Sequence, residues 1–495
     1  MTPEERSRAI AMWGIALCLF AAAAGWMFMR FGQAWSVADL PESENITRIV
    51  PAYIITEVAM IPVGGKLIDI YGCKRILVIA PIIFIIASML CILSVSVEML
   101  VVFRLIQGIG AGMVLALAFT AVGRLYAPTK RGKCHELMTG SFAFGSLFGS
   151  AIGYFLTETF NWRCGFIVLS IIMAVGLILA LKNLPEDEGS GTKVDMPGMI
   201  LVALLFGTAA TYTQMVNADF DLISLPSFAF VAAIIVLLVL LFRQVRTSDN
   251  PVIPIGISAF EKKLILLMFM FSLCGLGLIQ YFFKLYLTYY DFDIYRATAM
   301  FLFMLAGGAA TSMPGVRFVY RTGSKPWIIA GSAIVTVALM FTHLYADKGI
   351  PWLALSLFLF GLGLGCIVTE IICSLQTIVP KKDMGVHTAN LMAIRMVAIM
   401  AGNVLIGTYI NNVIRNNRGP ASIDLSVTEN VLTSIREYLS VTLQYLSDSM
   451  DSGFLMTAII LAMVTAGLTA VAYLVGRDDI KILNAMREKE EEDNQ

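Results

Sequence analysis

Four ionisable residues sit where ions are expensive. Glu57, Arg104, Glu370 and Arg395 each fall inside a long apolar run. A charge at the centre of a bilayer is costly, so such a group faces a partner, water or a substrate. Two chemistries follow. Glu57 with Arg104, and Glu370 with Arg395, are candidate structural ion pairs. Alternatively, a carboxylate in a central cavity takes up and releases a proton as access to the cavity changes side. Glu57 is the first candidate for that proton-coupling role and Glu370 the second, with Arg104 tuning the acid. Arg30, Tyr53, Glu57 and Arg395 are the candidate cavity residues. Arg30 would meet an anionic group or stand in for an acid, because no acid occurs from Ile10 to Ala38. Trp26, Met27, Met29, Met60 and further aromatic and methionine residues could line a soft apolar cavity.

A second stretch with chemistry is Gly65-Lys66-Leu67-Ile68-Asp69-Ile70-Tyr71-Gly72-Cys73-Lys74-Arg75. It reads as a tight charged turn between two apolar runs. Asp69 can cap the following helix or pair with Lys74 or Arg75. Glycine recurs at Gly108, Gly110 and Gly112, at Gly140, Gly145, Gly149 and Gly153, and at Gly361, Gly363 and Gly365. Small residues at such spacings keep one side of a helix thin, so that a second helix approaches closely.

The elements that must hold these residues are long helices. Of the 495 residues, 58% are hydrophobic and 14% charged, well below the charged share of a soluble domain, about 25%. Apolar runs of nearly 20 residues recur along the chain. They place helices at 9–33, 47–67, 76–96, 99–123, 137–157, 163–182, 197–217, 223–242, 263–287, 295–316, 326–344, 351–378, 385–409 and 452–475. The runs are too long and continuous for a transmembrane barrel. Lys and Arg concentrate in alternate connections, as at Lys74 and Arg75, Lys130 to Lys133, Lys262 and Lys263, and Lys381 and Lys382. That bias puts both termini in the cytoplasm and requires an even helix count. The expected protein is all-α and polytopic, in the cell membrane, which is the cytoplasmic or inner membrane. The expected division is a six-helix block (1–182), a linker with two inserted helices (183–262), a second six-helix block (263–475) and a cytoplasmic tail (476–495). The 197–217 and 223–242 runs could also form one re-entrant pair. The acidic, Gly/Ser-rich segment from Asn183 to Asp195 reads as a joint. An outer loop over 411–451 carries an amphipathic helix, with Leu432, Ile435, Leu439, Leu443 and Leu446 at spacings of three and four.

Several classes drop out. A formal net charge of zero implies no bulk attraction to nucleic acid. Eight scattered cysteines without a CxxC pair read as packing residues, and His135, His343 and His387 share no ligand spacing. No nucleophile–base pair points to an enzyme, and no Walker loop points to ATP. No cofactor is expected.

Together these motifs resemble the major facilitator superfamily, and within it the fourteen-helix drug:proton antiporters. Gly65, Leu67, Asp69, Gly72, Lys74 and Arg75 match the family's loop between helices two and three, and the resemblance implies that Gly65, Asp69, Gly72 and Arg75 form a conformational latch. Leu100, Arg104, Gln107, Gly108, Gly110 and Gly112 match its fourth-helix motif, whose arginine is associated with proton coupling. Gly145-Ser146-Leu147-Phe148-Gly149-Ser150 resembles the antiporter motif, with Ser146 where proline is usual and Ser150 for the closing glycine. Trp162-Arg163, Gly361 to Gly365, Pro380, Gly385 and Arg395 extend the likeness. In the second half the turn Gly315 to Gly323 carries Val319 where the acid would fall. The resemblance implies two six-helix bundles plus two helices, fourteen in all. It also implies export of hydrophobic or amphipathic compounds in exchange for protons by alternating access. The alternatives are a proton-coupled transporter for one metabolite, lipid-like molecule or siderophore, and a non-transporting receptor on the same scaffold. The expected partners are a small amphiphile, protons and the bilayer. A monomer is expected, and an accessory protein is left open.

Overall fold

The structure is a computed structural model that describes residues 2–40, 44–187, 189–216, 219–254, 257–273, 300, 302–311, 325–345 and 350–417. Its helices are α1 (Pro3–Asp39), α2 (Ile49–Tyr71), α3 (Cys73–Ile92), α4 (Val97–Leu125), α5 (Pro128–Thr159), α6 (Trp162–Asn183), α7 (Met196–Met215), α8 (Leu225–Thr247) and α9 (Ala259–Phe271). They continue as α10 (Leu302–Thr311), α11 (Lys325–Tyr345), α12 (Ile350–Ile378) and α13 (Met384–Asn417). Among the described residues, nine helical segments are long and apolar enough to cross a membrane. The protein is an all-α, multi-pass integral membrane protein. The 452–475 run, the amphipathic segment over 432–446, the tail and the turn at 315–323 lie outside the described residues.

Polar signals set the helix ends. Ser96, Asn161, Asp195, Ser224 and Ser258 each accept a backbone N–H at the start of α4, α6, α7, α8 and α9. The turn expected at 65–75 is shorter than its composition implies. The helix of α2 runs on through Tyr71 and breaks only at Gly72, whose φ is +84°. That conformation is open to glycine and strained for other residues. Lys66 and Asp69 are buried on this extra turn and find partners there, so nothing favours leaving the helix earlier.

Glycines decide how the helices stack. On α4, Gly108 and Gly112 face α2, while Gly110 faces α3. A methyl group at Gly112 would lie 3.0 Å from the Glu57 carbonyl carbon, and one at Gly110 would lie 2.8 Å from Ala80 O. On α12 the arrangement returns. Gly361 and Gly365 face α10 at Met304, Gly308 and Thr311, while Gly363 lies against Gly331 of α11. Thr56 Oγ1 of α2 donates to Leu105 O of α4 at 2.7 Å, and Thr311 Oγ1 of α10 donates to Leu362 O of α12 at 2.7 Å. The two halves thus repeat one packing solution. Gly112→Val should destabilise the protein by about 2 kcal/mol, because backbones must separate to admit the side chain. Thermal unfolding in detergent checks this.

The stripe on α5 is shorter than expected. Gly145, Gly149 and Gly153 face Phe20, Ala24 and Phe28 of α1, whereas nothing approaches Gly140. Gly140 precedes Gly145 by five residues and not four, so at 3.6 residues per turn it leaves the side of α5 that meets α1. A helix pair that spacing alone did not reveal is α1 with α6, where Gly14 meets Gly176. α7 and α8 are each long and apolar enough to span by themselves. Met199, Val202 and Leu205 of α7 pack with Val63 of α2, Leu241 of α8 and Val252.

Candidate functional site

Two buried centres emerge from this packing. The first holds Glu57 in the middle part of α2 and Arg104 about two turns into α4. Glu57 and Arg104 are both buried, but they form no ion pair with each other. Arg104 donates to Gly25 O of α1 at 3.0 Å and to Gln107 Oε1 at 2.6 Å. Gln107 passes the chain on to Ser88 Oγ of α3 at 2.6 Å, and Ser88 donates to Phe84 O. The guanidinium also lies 4.3 Å from the centroid of the Tyr53 ring, a favourable place for a desolvated cation. Arg104 is therefore held by the first four helices, α1, α2, α3 and α4. Glu57 Oε1 is buried without a hydrogen-bond partner, the arrangement that leaves a carboxyl oxygen free to carry a proton.

Tyr53 is fully buried and donates its hydroxyl to Ala22 O at 2.7 Å. It is a platform for Arg104 within the bundle. Glu370 is buried on α12. Arg395 lies on α13, its Nε without a hydrogen-bond partner. No ion pair joins the two, and Arg395 is partly exposed. Arg30 lies on α1, and its side chain is outside the described residues.

The second centre is at the end of the bundle that gathers Lys74, Arg75, Lys130, Lys381 and Lys382, here called the basic end. Asp69 caps α13, and not α3 as its position in sequence implied. Its carboxylate accepts from Gly385 N and Val386 N, each at 2.7 Å. Those amides are unsatisfied donors at a helix N-terminus, where a negative charge is favourable. The third partner is Arg124, at 2.7 Å. Gly65 and Gly385 bring the backbones of α2 and α13 together, since a methyl at either would collide with the other's carbonyl. Arg75 takes no part. It is exposed and lies beyond the break at Gly72. Lys74 reaches Glu186 instead, at 3.4 Å on the surface.

Sequence reasoning missed Arg124 and the role of the linker. Asp187 holds the other side of Arg124 at 2.7 Å and accepts from Cys73 N at 3.2 Å. Ser190 N donates to Asp69 O at 2.8 Å and Gly191 N to Ile70 O at 3.2 Å. Lys66 donates to Asn250 Oδ1 and Pro251 O. The segment read as a joint is thus strapped across the turn. Its acidic composition, beside a basic turn, was the signal available. Among the described residues no three His, Cys, Asp or Glu gather as a metal site.

This geometry can be set beside known proteins. The family described as Major Facilitator Superfamily matches residues 15–405. The chain belongs to the major facilitator superfamily. Multidrug resistance protein 3 of Bacillus subtilis is 23% identical over 426 residues, covering 85% of this chain and 83% of that protein. Multidrug transporter protein MdtP of the same organism is 23% identical over 419 residues, covering 82% and 76%. Among solved structures, the human organic anion transporter MFSD10 aligns with a TM-score of 0.61 at 15% identity, over 93% of this chain and 100% of that one. The proton:xylose symporter XylE aligns at 0.56 and 15% identity, over 93% and 96%. This superfamily member is a secondary transporter of the facilitator type, kin to multidrug efflux proteins.

Proposed function

We propose that the protein exports hydrophobic or amphipathic compounds in exchange for protons by alternating access. The observation that carries the reading is the Asp69 contact. It joins α2 to α13 through a few directional hydrogen bonds, which break and re-form without unpacking a core. The halves 1–182 and 263–475 rock about it, with α7 and α8 beside them, in a fourteen-helix architecture whose termini and basic end face the cytoplasm. Glu57 carries the proton. Arg104 holds the surrounding helices and supplies a fixed positive field. Glu370 is the alternative proton site, and Arg30 and Arg395 are cavity residues that read substrate charge. The names of the Bacillus relatives support a multidrug substrate range, and the apolar, methionine-rich spans support hydrophobic solutes.

The test is internal pH in sealed proteoliposomes under an imposed proton gradient. Cationic, neutral and anionic amphiphiles are added in turn. Proton movement that depends on the added compound is expected. Its absence with every compound, in protein shown to be folded, overturns the reading and leaves transport of a single specific metabolite to be tested by tracer flux.

A further inference from the structure

At the basic end a second polar contact joins the halves, and the Asp69 latch does not include it. Gln376 lies in the last turns of α12, almost wholly buried. Its Nε2 donates to Phe119 O of α4 at 3.0 Å and to Thr388 Oγ1 of α13 at 3.2 Å. Its Oε1 lies 2.8 Å from Nε2 of His135 on α5. Phe119 O only accepts, which fixes the amide orientation, so His135 Nε2 is the donor. The imidazole is fully buried and stacks on Phe119, with centroids 6.0 Å apart. Arg131, also on α5, completes the site. It donates to Gly123 O and Tyr126 O at the end of α4, and to Gln376 O at 2.8 Å. Its guanidinium thus bridges the C-terminal carbonyls of α4 and α12, where positive charge is favourable.

The repeated packing gives this site its meaning. α4 corresponds to α12, so α5 corresponds to α13. Asp69 grips the first turn of α13. In the second half the matching sequence, Gly315 to Gly323, carries Val319 at the position that Asp69 holds in the first, and a valine side chain has no acceptor for amide N–H groups. Near its start α5 is engaged by α12, where Arg131 donates to Gln376 O and His135 to Gln376 Oε1.

We propose that Gln376, with His135 and Arg131, forms a second latch that closes the basic end and stands in for the acid missing at Val319. Gln376 is a positioning residue for the transport cycle proposed above, and the inference rests on that reading for its role in turnover. The two latches have opposite polarity. One places a carboxylate at a helix N-terminus, and the other places a guanidinium at two helix C-termini. Both must release for the basic end to open.

The test needs no substrate. A fluorescent donor and acceptor are attached through unnatural amino acids at Lys133 and Lys382, which are exposed on opposite halves. Energy transfer then reports separation of the basic end. Gln376→Ala should raise the separated population roughly tenfold, from loss of the amide's cross-half hydrogen bonds. His135→Phe keeps the ring on Phe119 and removes one bond, so it should raise that population by about threefold. It carries the test if the alanine variant does not fold. A merely structural Gln376 would lower the unfolding temperature and leave transfer unchanged. Unchanged transfer in the folded variants overturns the proposal, whatever the wild type does in vesicles. Absence of proton exchange in the wild type, with transfer shifted, would overturn the export reading and retain the latch.

Discussion

Glu57→Gln is expected to abolish substrate-dependent proton movement, bringing it down to that of protein-free vesicles, while the protein still folds. Glutamine keeps the shape of the side chain and removes the group that titrates. Glu57 lends itself to this test because its partners are few. Oε1 has no hydrogen bond to lose, and Arg104 already has Gly25 O, Gln107 and the Tyr53 ring. The substitution therefore leaves the Arg104 contacts in place, and the unfolding temperature should stay close to that of the wild type. Near-normal driven flux in Glu57→Gln would remove it from the coupling role and pass that role to Glu370. Arg104→Ala is expected to behave differently. It breaks a buried chain through α1, α3 and α4 and should lower stability together with flux.

The second large effect is at the first latch. Asp69→Asn keeps one acceptor oxygen but loses the charge that binds the α13 amides and Arg124. Hydrogen bonds to a charged group are the stronger kind. Losing about 2 kcal/mol of closure raises the open-to-closed ratio at the basic end by about thirtyfold. Turnover should fall while equilibrium binding of substrate is largely retained, because Asp69 lies at the end of the bundle and Glu57 midway along α2. Loss of binding with an unaltered energy-transfer signal between Lys133 and Lys382 would sink this assignment.

What the sequence made legible was whatever repeats locally. Apolar runs located α2, α3, α4, α6, α7, α11 and α12 to within four residues at each end, whereas α1, α5, α8 and α13 run five to nine residues past the apolar run at one end or both, on polar turns that hydropathy does not mark. Spacing marked Gly108, Gly110 and Gly112, and again Gly361, Gly363 and Gly365, as close-packing positions. It could not say that alternate glycines face different helices, since period alone carries no partner. Asp69 was marked by resemblance as a latch candidate, yet its partners were not legible. The amides it binds are 316 and 317 positions away, and contacts of that range leave no periodic trace. Arg124 looked like one more basic residue at a helix end. Lys74 and Arg75 looked like better partners because they are close in sequence, but the break at Gly72 turns α3 away. Gln376 read as an ordinary helix–helix hydrogen bonder. Only the four helices assembled around it reveal that its bonds cross between halves.

The strap over the α2–α3 turn bears on the order in which the protein is made. Domains emerge and fold from the N-terminus during synthesis. Arg124 finds both of its carboxylates, Asp69 and Asp187, within the first 187 residues. Ser190 and Gly191 then tie the nascent chain back onto the turn before any residue of the second half exists. The buried guanidinium is therefore neutralised early, and an otherwise sticky basic turn is covered while the ribosome is still at work. Asp69 is left with acceptor capacity in hand. The amides of Gly385 and Val386 arrive nearly two hundred residues later, to a receptor already assembled.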